Sequence, residues 1–153
     1  MINETIEKHT VIGNIFNCKE NIICHQVNMY KKMGAGIAKQ IRERYPNVYQ
    51  DYLLHEPVLG EVHIIPVEHD DIIPYQNQNI GLWIANMYSQ NSYGYDGAQY
   101  TDYDAMRKCF NDINDHISKS NKCGNNLSLA IPYKIGCGIG GGDWSIVSKI
   151  IVE

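Results

Sequence analysis

A chain of 153 residues is the size of one domain, and it is long enough to bury a single hydrophobic core. Its residues are 44% hydrophobic and 20% charged, a composition that excludes an intrinsically disordered chain. The formal net charge of -4 provides no general cationic field for a nucleic-acid backbone. Any anion that the protein binds must therefore be held locally.

The five cysteines favour a reducing compartment. They are odd in number and show neither a C-x-x-C pair nor zinc-type spacing, so we expect no disulfide framework and no metal site. The first residues lack the pattern of a secretion signal, and no apolar run approaches the ~20 residues that span a bilayer. We expect a cytoplasmic protein with no membrane partner.

Five apolar runs predict strands, and several are hydrophobic almost throughout, as strands covered on both faces are. They lie at residues 9–12, 22–27, 62–67, 80–87 and 127–131. Between the second and third of these runs, Ile37, Ile41 and Tyr45 recur at helical spacing, which predicts a helix. Pro46 predicts the end of that helix.

A longer helix is predicted from Thr101, where T-D-Y-D resembles a capping box, and a final helix from about Asp143. The apolar stripe of the longer helix, which should pack on a sheet, consists of Met106, Phe110, Ile113 and Ile117. Strands that alternate with helices predict an α/β domain with a mostly parallel sheet. The polar segment 90–100 is a predicted loop near the strand ends, where open α/β sheets bind ligands.

The segment I-P-Y-K-I-G-C-G-I-G-G-G-D-W, residues 131–144, lies between a predicted strand and a predicted helix. Glycine lets successive backbone N–H groups converge on a phosphate, although a flexible turn is the alternative. Gly136, Gly138 and Gly141 also satisfy G-x-G-x-x-G, but the chain ends before the ribose-binding acid of a dinucleotide site. Since a Walker A lysine is also missing, a nicotinamide dehydrogenase and a P-loop ATPase are disfavoured.

A second small-residue turn, residues 28–36, also leads from a predicted strand into a helix that Gly34, Ala35 and Gly36 open. Two such turns on adjacent strands can enclose a diphosphate between them. Asn28, at the end of the strand, can offer a donor and an acceptor to sugar hydroxyls, or it can simply form the turn.

Four motifs together resemble a macrodomain: G-N-I-F (13–16), H-Q-V-N followed by M-G-A-G-I-A, L-G-E-V (59–62) and I-G-C-G-I-G-G-G-D-W. They occur in the family's order over nearly the whole chain. The pairing of the two glycine motifs is most similar to one branch of the family. That branch holds ADP-ribosyl-glutamate hydrolases, antitoxins that remove ADP-ribose from DNA, and ADP-ribose 1''-phosphate phosphatases.

The resemblance implies a single domain over residues 1–153 with a three-layer α/β/α fold and a mixed, mostly parallel central sheet. It also implies that ADP-ribose binds at the carboxyl ends of the strands, with Asn14 and Ile15 at the adenine and Asn28 at the distal ribose. The residues implied to hold the diphosphate are Met33, Gly34, Ala35, Gly36, Ile37, Ile135, Gly136, Cys137, Gly138, Ile139 and Gly140. Macrodomains commonly continue past the last helix into a further strand. Either this chain is a piece of a longer one, or the domain lacks the family's final strand.

Catalysis is where the chain departs from its branch. Members that cleave ADP-ribosyl-glutamate use a lysine and an aspartate, and the corresponding positions here are Asn86 or Met87, and Gly140. None of these can form a Schiff base or abstract a proton. The remaining candidates for catalysis are Asn28, Asp143 and His25. Asp143 is alternatively the cap of a helix, and His25 is alternatively a buried neutral imidazole.

Three functions follow from these observations. The first is hydrolysis of an ADP-ribose derivative, either the 1''-phosphate or an ADP-ribosyl ester, by a water that attacks the distal ribose. The second is a non-catalytic reader of ADP-ribose. The third is an antitoxin-like module for ADP-ribosylated nucleic acid, which the net acidity of the chain disfavours. We expect ADP-ribose or an ADP-ribosylated molecule as the partner, and no cofactor.

Overall fold

A computed structural model describes residues 9–68, 81–94, 96, 98–138 and 140–152. Among these residues, four strands form one sheet in the order β2-β3-β1-β4. The strands are β1 (Ile22–Asn28), β2 (Val62–Pro66), β3 (Trp83–Gln90) and β4 (Leu129–Ala130). Both β3 and β4 run parallel to β1, whereas β2 is antiparallel to β3. The sheet is therefore mixed and mostly parallel, as predicted.

Helices cover both faces of this sheet. They are α1 (Gly36–Arg44), α2 (Pro46–Leu54), α3 (Tyr103–Lys122) and α4 (Trp144–Ile151). Because side chains alternate along a strand, Ile23 of β1 packs with α1 and α2, and its neighbour Cys24 packs with α3 and α4. The result is a three-layer α/β/α fold with a hydrophobic core on each side of the sheet.

Two predicted helix boundaries differ in the structure. Pro46 does not only follow α1; it is also the first residue of α2, a helix that the sequence pattern did not predict. Proline suits that position because its missing N–H would have no intrahelical partner there. The cap of α3 is Asp102 rather than Thr101, since the Asp102 side chain accepts the Ala105 N–H at 3.0 Å. Thr101 instead pairs with Gln90.

One predicted strand is wrong. Residues 10–12 form no strand, and the side chains of Val11 and Ile12 are exposed, so this short run adds no strand to the sheet that the described residues form. The predicted strand 80–87 is β3, which continues to Gln90, while Ile80 lies outside the described residues. The predicted strand 127–131 shortens to the two residues of β4.

The parallel strands β1, β3 and β4 end at the same edge of the sheet. The turn from β1 to α1, the loop after β3 and the glycine segment after β4 therefore meet there. Asp143 begins α4 as its N-cap, as predicted. Within the described residues, no helix is long and apolar enough to cross a membrane.

Candidate binding cleft

A cleft of about 630 Å³ opens at the carboxyl edge of the sheet, a size common for small-molecule sites. The structure brings both predicted glycine turns to it. The first turn contributes Asn28, Met33, Gly34, Ala35, Gly36 and Ile37 to the lining. The second contributes Ile135, Gly136, Gly138 and Gly140. Tyr93 and Gly94, from the loop after β3, complete one side.

The side chain of Asn28 shapes the first turn. Its Oδ1 accepts the Tyr30 N–H at 2.9 Å and the Lys32 N–H at 3.4 Å, and its Nδ2 donates to the Lys32 carbonyl at 2.9 Å. These bonds hold Lys31 in the left-handed region, at φ 60°, where a side chain is strained. Asn28 is therefore the turn-forming residue, and one N–H of its Nδ2 has no partner in these bonds.

The first turn ends at the N-terminus of α1, which lacks a side-chain cap. Ala35 occupies the cap position and has no side-chain oxygen to accept the first N–H groups of the helix. Those N–H groups and the positive end of the helix dipole favour an anion there. Both Ala35 and Gly36 line the cleft.

The second turn is held by close packing against residues 98–101. The carbonyl of Gly140 accepts the N–H groups of Tyr100 and Thr101 at 2.7 and 3.0 Å, and the Thr101 hydroxyl donates to the Gly136 carbonyl at 2.8 Å. Gly141 has φ 73°, and a Cβ there would collide with the Ala98 carbonyl oxygen. Several of these glycines are therefore required by packing. Gly138 is different, because a Cβ there would meet nothing within 4 Å.

Gln26 ties this second turn to the sheet. Its Nε2 donates to Gln90 Oε1 at 2.9 Å and to Thr101 Oγ1 at 3.0 Å, and its Oε1 accepts from the Ser89 hydroxyl at 3.2 Å. The Gln26 side chain thus joins β1, β3 and, through Thr101, the glycine turn. The sequence gives no signal of this role, since a glutamine in a strand forms no recognisable motif.

Four basic residues line the cleft, and the described part of its lining contains no aspartate or glutamate. They are Lys31, Lys32, Arg42 and Lys134. Lys134, like Lys31, is in the left-handed region, at φ 57°. Sequence reasoning missed these residues, although three of them lie beside the glycine motifs. The net charge of -4 does not describe the cleft, so it no longer argues against a nucleic-acid partner.

Comparison with solved structures identifies the architecture. Over 92% of this chain and 80% of its own, a Bacteroides thetaiotaomicron protein of unknown function superposes with a TM-score of 0.66 and 28% identity. The macrodomain of Mycobacterium tuberculosis DarG superposes with a TM-score of 0.72 and 22% identity, over 93% of this chain and 85% of its own. This chain has the macrodomain fold. No protein-family model and no curated protein matches it.

A third solved structure with the macrodomain fold contains a ligand. Thermosipho africanus DarTG, in complex with ADP-ribose, superposes with a TM-score of 0.70 and 21% identity. The match covers 91% of this chain but only 36% of that protein. Because the sequence identities to DarG and DarTG are only 22% and 21%, these two superpositions show the fold alone.

In this macrodomain fold His25 lines the cleft but is 2% exposed. Its Nε2 lies 2.6 Å from Asn86 Oδ1, and with the amide in this orientation Nε2 is the donor and Nδ1 is unprotonated. Burial lowers the pKa of His25 to about 4, and the bond to Asn86 opposes that shift only in part. The imidazole is therefore neutral at physiological pH.

Asp143 and Cys137 lie outside the described lining of the cleft. The Asp143 carboxylate caps α4 and accepts from both the N–H and the hydroxyl of Ser145, bonds that lower its pKa. Burial raises the pKa of the Cys137 thiol, which donates to the Ile135 carbonyl. At neutral pH the carboxyl group is ionised and the thiol is protonated.

The predicted adenine contacts also lie away from the described lining. Asn14 is the cap of a short 3-10 turn, Ile15–Asn17, and accepts the Phe16 N–H at 3.0 Å. Ile15 packs against the core beneath α1. Ile139 is outside the described residues.

Proposed function

We propose that the cleft binds ADP-ribose, either free or attached to a larger molecule. The observation that carries this proposal is that two backbone turns face one cleft whose described charged side chains are all basic. A diphosphate needs convergent N–H donors and positive charge, and this cleft offers both. The choice of ligand is supported by the ADP-ribose complex of DarTG, a protein of which 36% superposes on this chain.

Under this proposal each wall of the cleft has a defined role. The N–H groups of residues 34–37 hold the phosphates from one side, and those of Gly136 and Gly138 hold them from the other. The N–H groups of Ile135 and Cys137 instead donate to the carbonyls of Pro132 and Lys134. The unused N–H of Asn28 donates to the distal ribose. Lys31, Lys32, Arg42 and Lys134 add long-range attraction for the ligand.

Binding without turnover is the function that the geometry supports best. The Nδ1 of His25, which could accept a proton, is buried, and burial lowers the pKa of the imidazole to about 4, so it is a weak base. The Asp143 carboxylate is the cap of α4 and lies outside the described lining of the cleft. Neither group is thus poised to take a proton from a water in the cleft. The reader function requires no such group.

Hydrolysis of ADP-ribose 1''-phosphate is the second candidate. A terminal phosphate adds negative charge at the distal end of the ligand, and Lys31 and Lys32 lie in the same turn as Asn28. The predicted catalytic roles of Asn28, Asp143 and His25 belong to this alternative, as does cleavage of an ADP-ribosyl ester.

Calorimetric titration with ADP-ribose and AMP tests the binding function. We expect saturable 1:1 binding of ADP-ribose and much weaker binding of AMP, which lacks the second phosphate and the distal ribose. Failure to bind ADP-ribose contradicts the proposal. The same protein is then incubated with ADP-ribose 1''-phosphate and an ADP-ribosyl ester; release of phosphate or ADP-ribose that Asn28→Ala abolishes would establish the hydrolase instead of the reader.

A further inference from the structure

Two buried tyrosines near the first turn differ in the hydrogen bonding of their hydroxyl groups. Tyr52 of α2 and Tyr88 of β3 pack with ring centroids 6.1 Å apart, at 1% and 0% exposure. The Tyr88 hydroxyl has no hydrogen-bond partner among the described residues. The Tyr52 hydroxyl bonds to Asn28, which lines the cleft.

The Tyr52 hydroxyl contacts both oxygens of Asn28. It lies 2.8 Å from the main-chain carbonyl and 3.1 Å from Oδ1. The amide orientation is not arbitrary, because Oδ1 also accepts the Tyr30 N–H and Nδ2 donates to the Lys32 carbonyl. Tyr52 is therefore the donor, and its single hydroxyl hydrogen is shared between the main-chain carbonyl and Oδ1 of the residue at which β1 ends.

The hydroxyl remains a donor at any physiological pH. The pKa of Tyr52 is raised above its ordinary value, mainly by burial and to a smaller extent by the neighbouring Tyr88. With Oδ1 directed toward Tyr52 and Tyr30, the rotation of the Asn28 amide is fixed. Only one N–H of Nδ2 is then left for a ligand.

We propose that Tyr52 is a positioning residue that orients Asn28 toward the distal ribose. This inference rests on the proposed binding of ADP-ribose. Without the hydroxyl, the amide of Asn28 loses one of the bonds that fix its orientation, and the contact with the distal ribose weakens. The diphosphate contacts are unaffected, because they come from main-chain groups further along the turn.

The test compares Tyr52→Phe with Tyr88→Phe, which removes the unpartnered hydroxyl from the adjacent ring. Each variant and the wild type are titrated with ADP-ribose and with ADP, which lacks the distal ribose. We expect Tyr52→Phe to bind ADP-ribose roughly five- to tenfold more weakly and to bind ADP as the wild type does. We expect Tyr88→Phe to bind both ligands as the wild type does. A role in folding alone would weaken both ligands together.

A second measurement reports on Asn28 directly. The side-chain amide signals of Asn28 in a nitrogen-15 NMR spectrum should shift in Tyr52→Phe and stay in place in Tyr88→Phe. In the Asn28→Ala background, adding Tyr52→Phe should cause no further loss of ADP-ribose affinity, since the two residues act as one unit. Unchanged ADP-ribose affinity in Tyr52→Phe, or an equal loss for ADP, overturns the inference. Failure of the wild type to bind ADP-ribose contradicts the proposed function itself.

Discussion

The two turns that face each other across the cleft are held in place by different forces. The first turn is fixed by one side chain, since Asn28 bonds to Tyr30 and Lys32 and is itself held by Tyr52. A Cβ added at Gly34 would meet nothing within 4 Å. The second turn is fixed mainly by packing, because its last glycines lie against residues 98–101, and the Thr101 hydroxyl bonds to the Gly136 carbonyl.

This difference teaches that the same residue type has different roles on the two sides. In the first turn Gly34 and Gly36 have open space beside them, and glycine at position 36 is favoured by its left-handed φ of 59° and not by packing. In the second turn Gly141 makes room for the protein itself, and only Gly138 is clearly open. In the second turn, substitution of a packed glycine should therefore lower stability, whereas substitution of the open Gly138 should weaken binding.

The largest expected effect is that of Gly141→Ala. The new methyl group would strike the Ala98 carbonyl, and the residue would have to keep a left-handed φ of 73°. Left-handed strain costs about 1–2 kcal/mol and overpacking about 1–3 kcal/mol, so we expect a loss of about 2–5 kcal/mol in unfolding free energy. Urea denaturation measures this loss.

Gly138→Ala is the matched control in the same turn. Because space around Gly138 is open, we expect its unfolding free energy to stay within about 0.5 kcal/mol of the wild type while ADP-ribose affinity falls. Equal destabilisation by both substitutions would show that packing does not distinguish the two glycines.

A decrease in pH should lower the stability of the protein through His25 of β1, the strand that leads into the first turn. The pKa of His25 is lowered from 6.5 to about 4 in the folded protein, so the unfolded chain binds the proton first. The stability contributed by the neutral imidazole is complete above pH 6.5. We expect it to fall as pH decreases toward about 4, by up to about 3 kcal/mol.

The variant His25→Gln isolates this contribution. Glutamine can still bond to Asn86 but does not titrate, so unfolding free energies measured between pH 7 and pH 4 should show a flatter slope. Part of the slope should persist, because burial and His55 also lower the pKa of His63. A slope identical to that of the wild type would exclude His25 as its source.

The smallest expected effects are those of the two left-handed lysines, one in each turn. Lys31→Gln and Lys134→Gln should each weaken ADP-ribose binding by roughly two- to fivefold at low salt, with less effect at high salt. Lys39→Gln is the control, because Lys39 is on α1, pairs with Glu43 and does not line the cleft. If Lys39→Gln weakens binding equally, the attraction comes from the net charge and not from the cleft.

Much of the fold could be predicted because its strands are buried on both faces. The run 22–27 is mostly apolar and became β1, whereas the shorter run 9–12 is half polar and pairs with none of the four strands that the structure describes. The helix α2 was missed because Pro46 is compatible with the end of one helix and the start of the next. Tyr52 lies on that helix, so its contact with Asn28 was also beyond prediction.

The site was predictable in outline and not in detail. The two glycine turns stand out by composition, and strand order alone brings them to one edge of the sheet. The basic lining of the cleft could not be predicted from the net charge, because the net charge is a sum over the whole chain. The hydrogen bonds of the Asn28 amide depend on the backbone conformation of the next four residues, which no local sequence pattern specifies.

The most direct test of the account is a crystal structure of the protein grown with ADP-ribose. We predict that the diphosphate lies between residues 34–37 and 135–138, with phosphate oxygens within hydrogen-bonding distance of main-chain N–H groups from both turns. A diphosphate that contacts only one of the turns, or that lies outside the cleft, would contradict it.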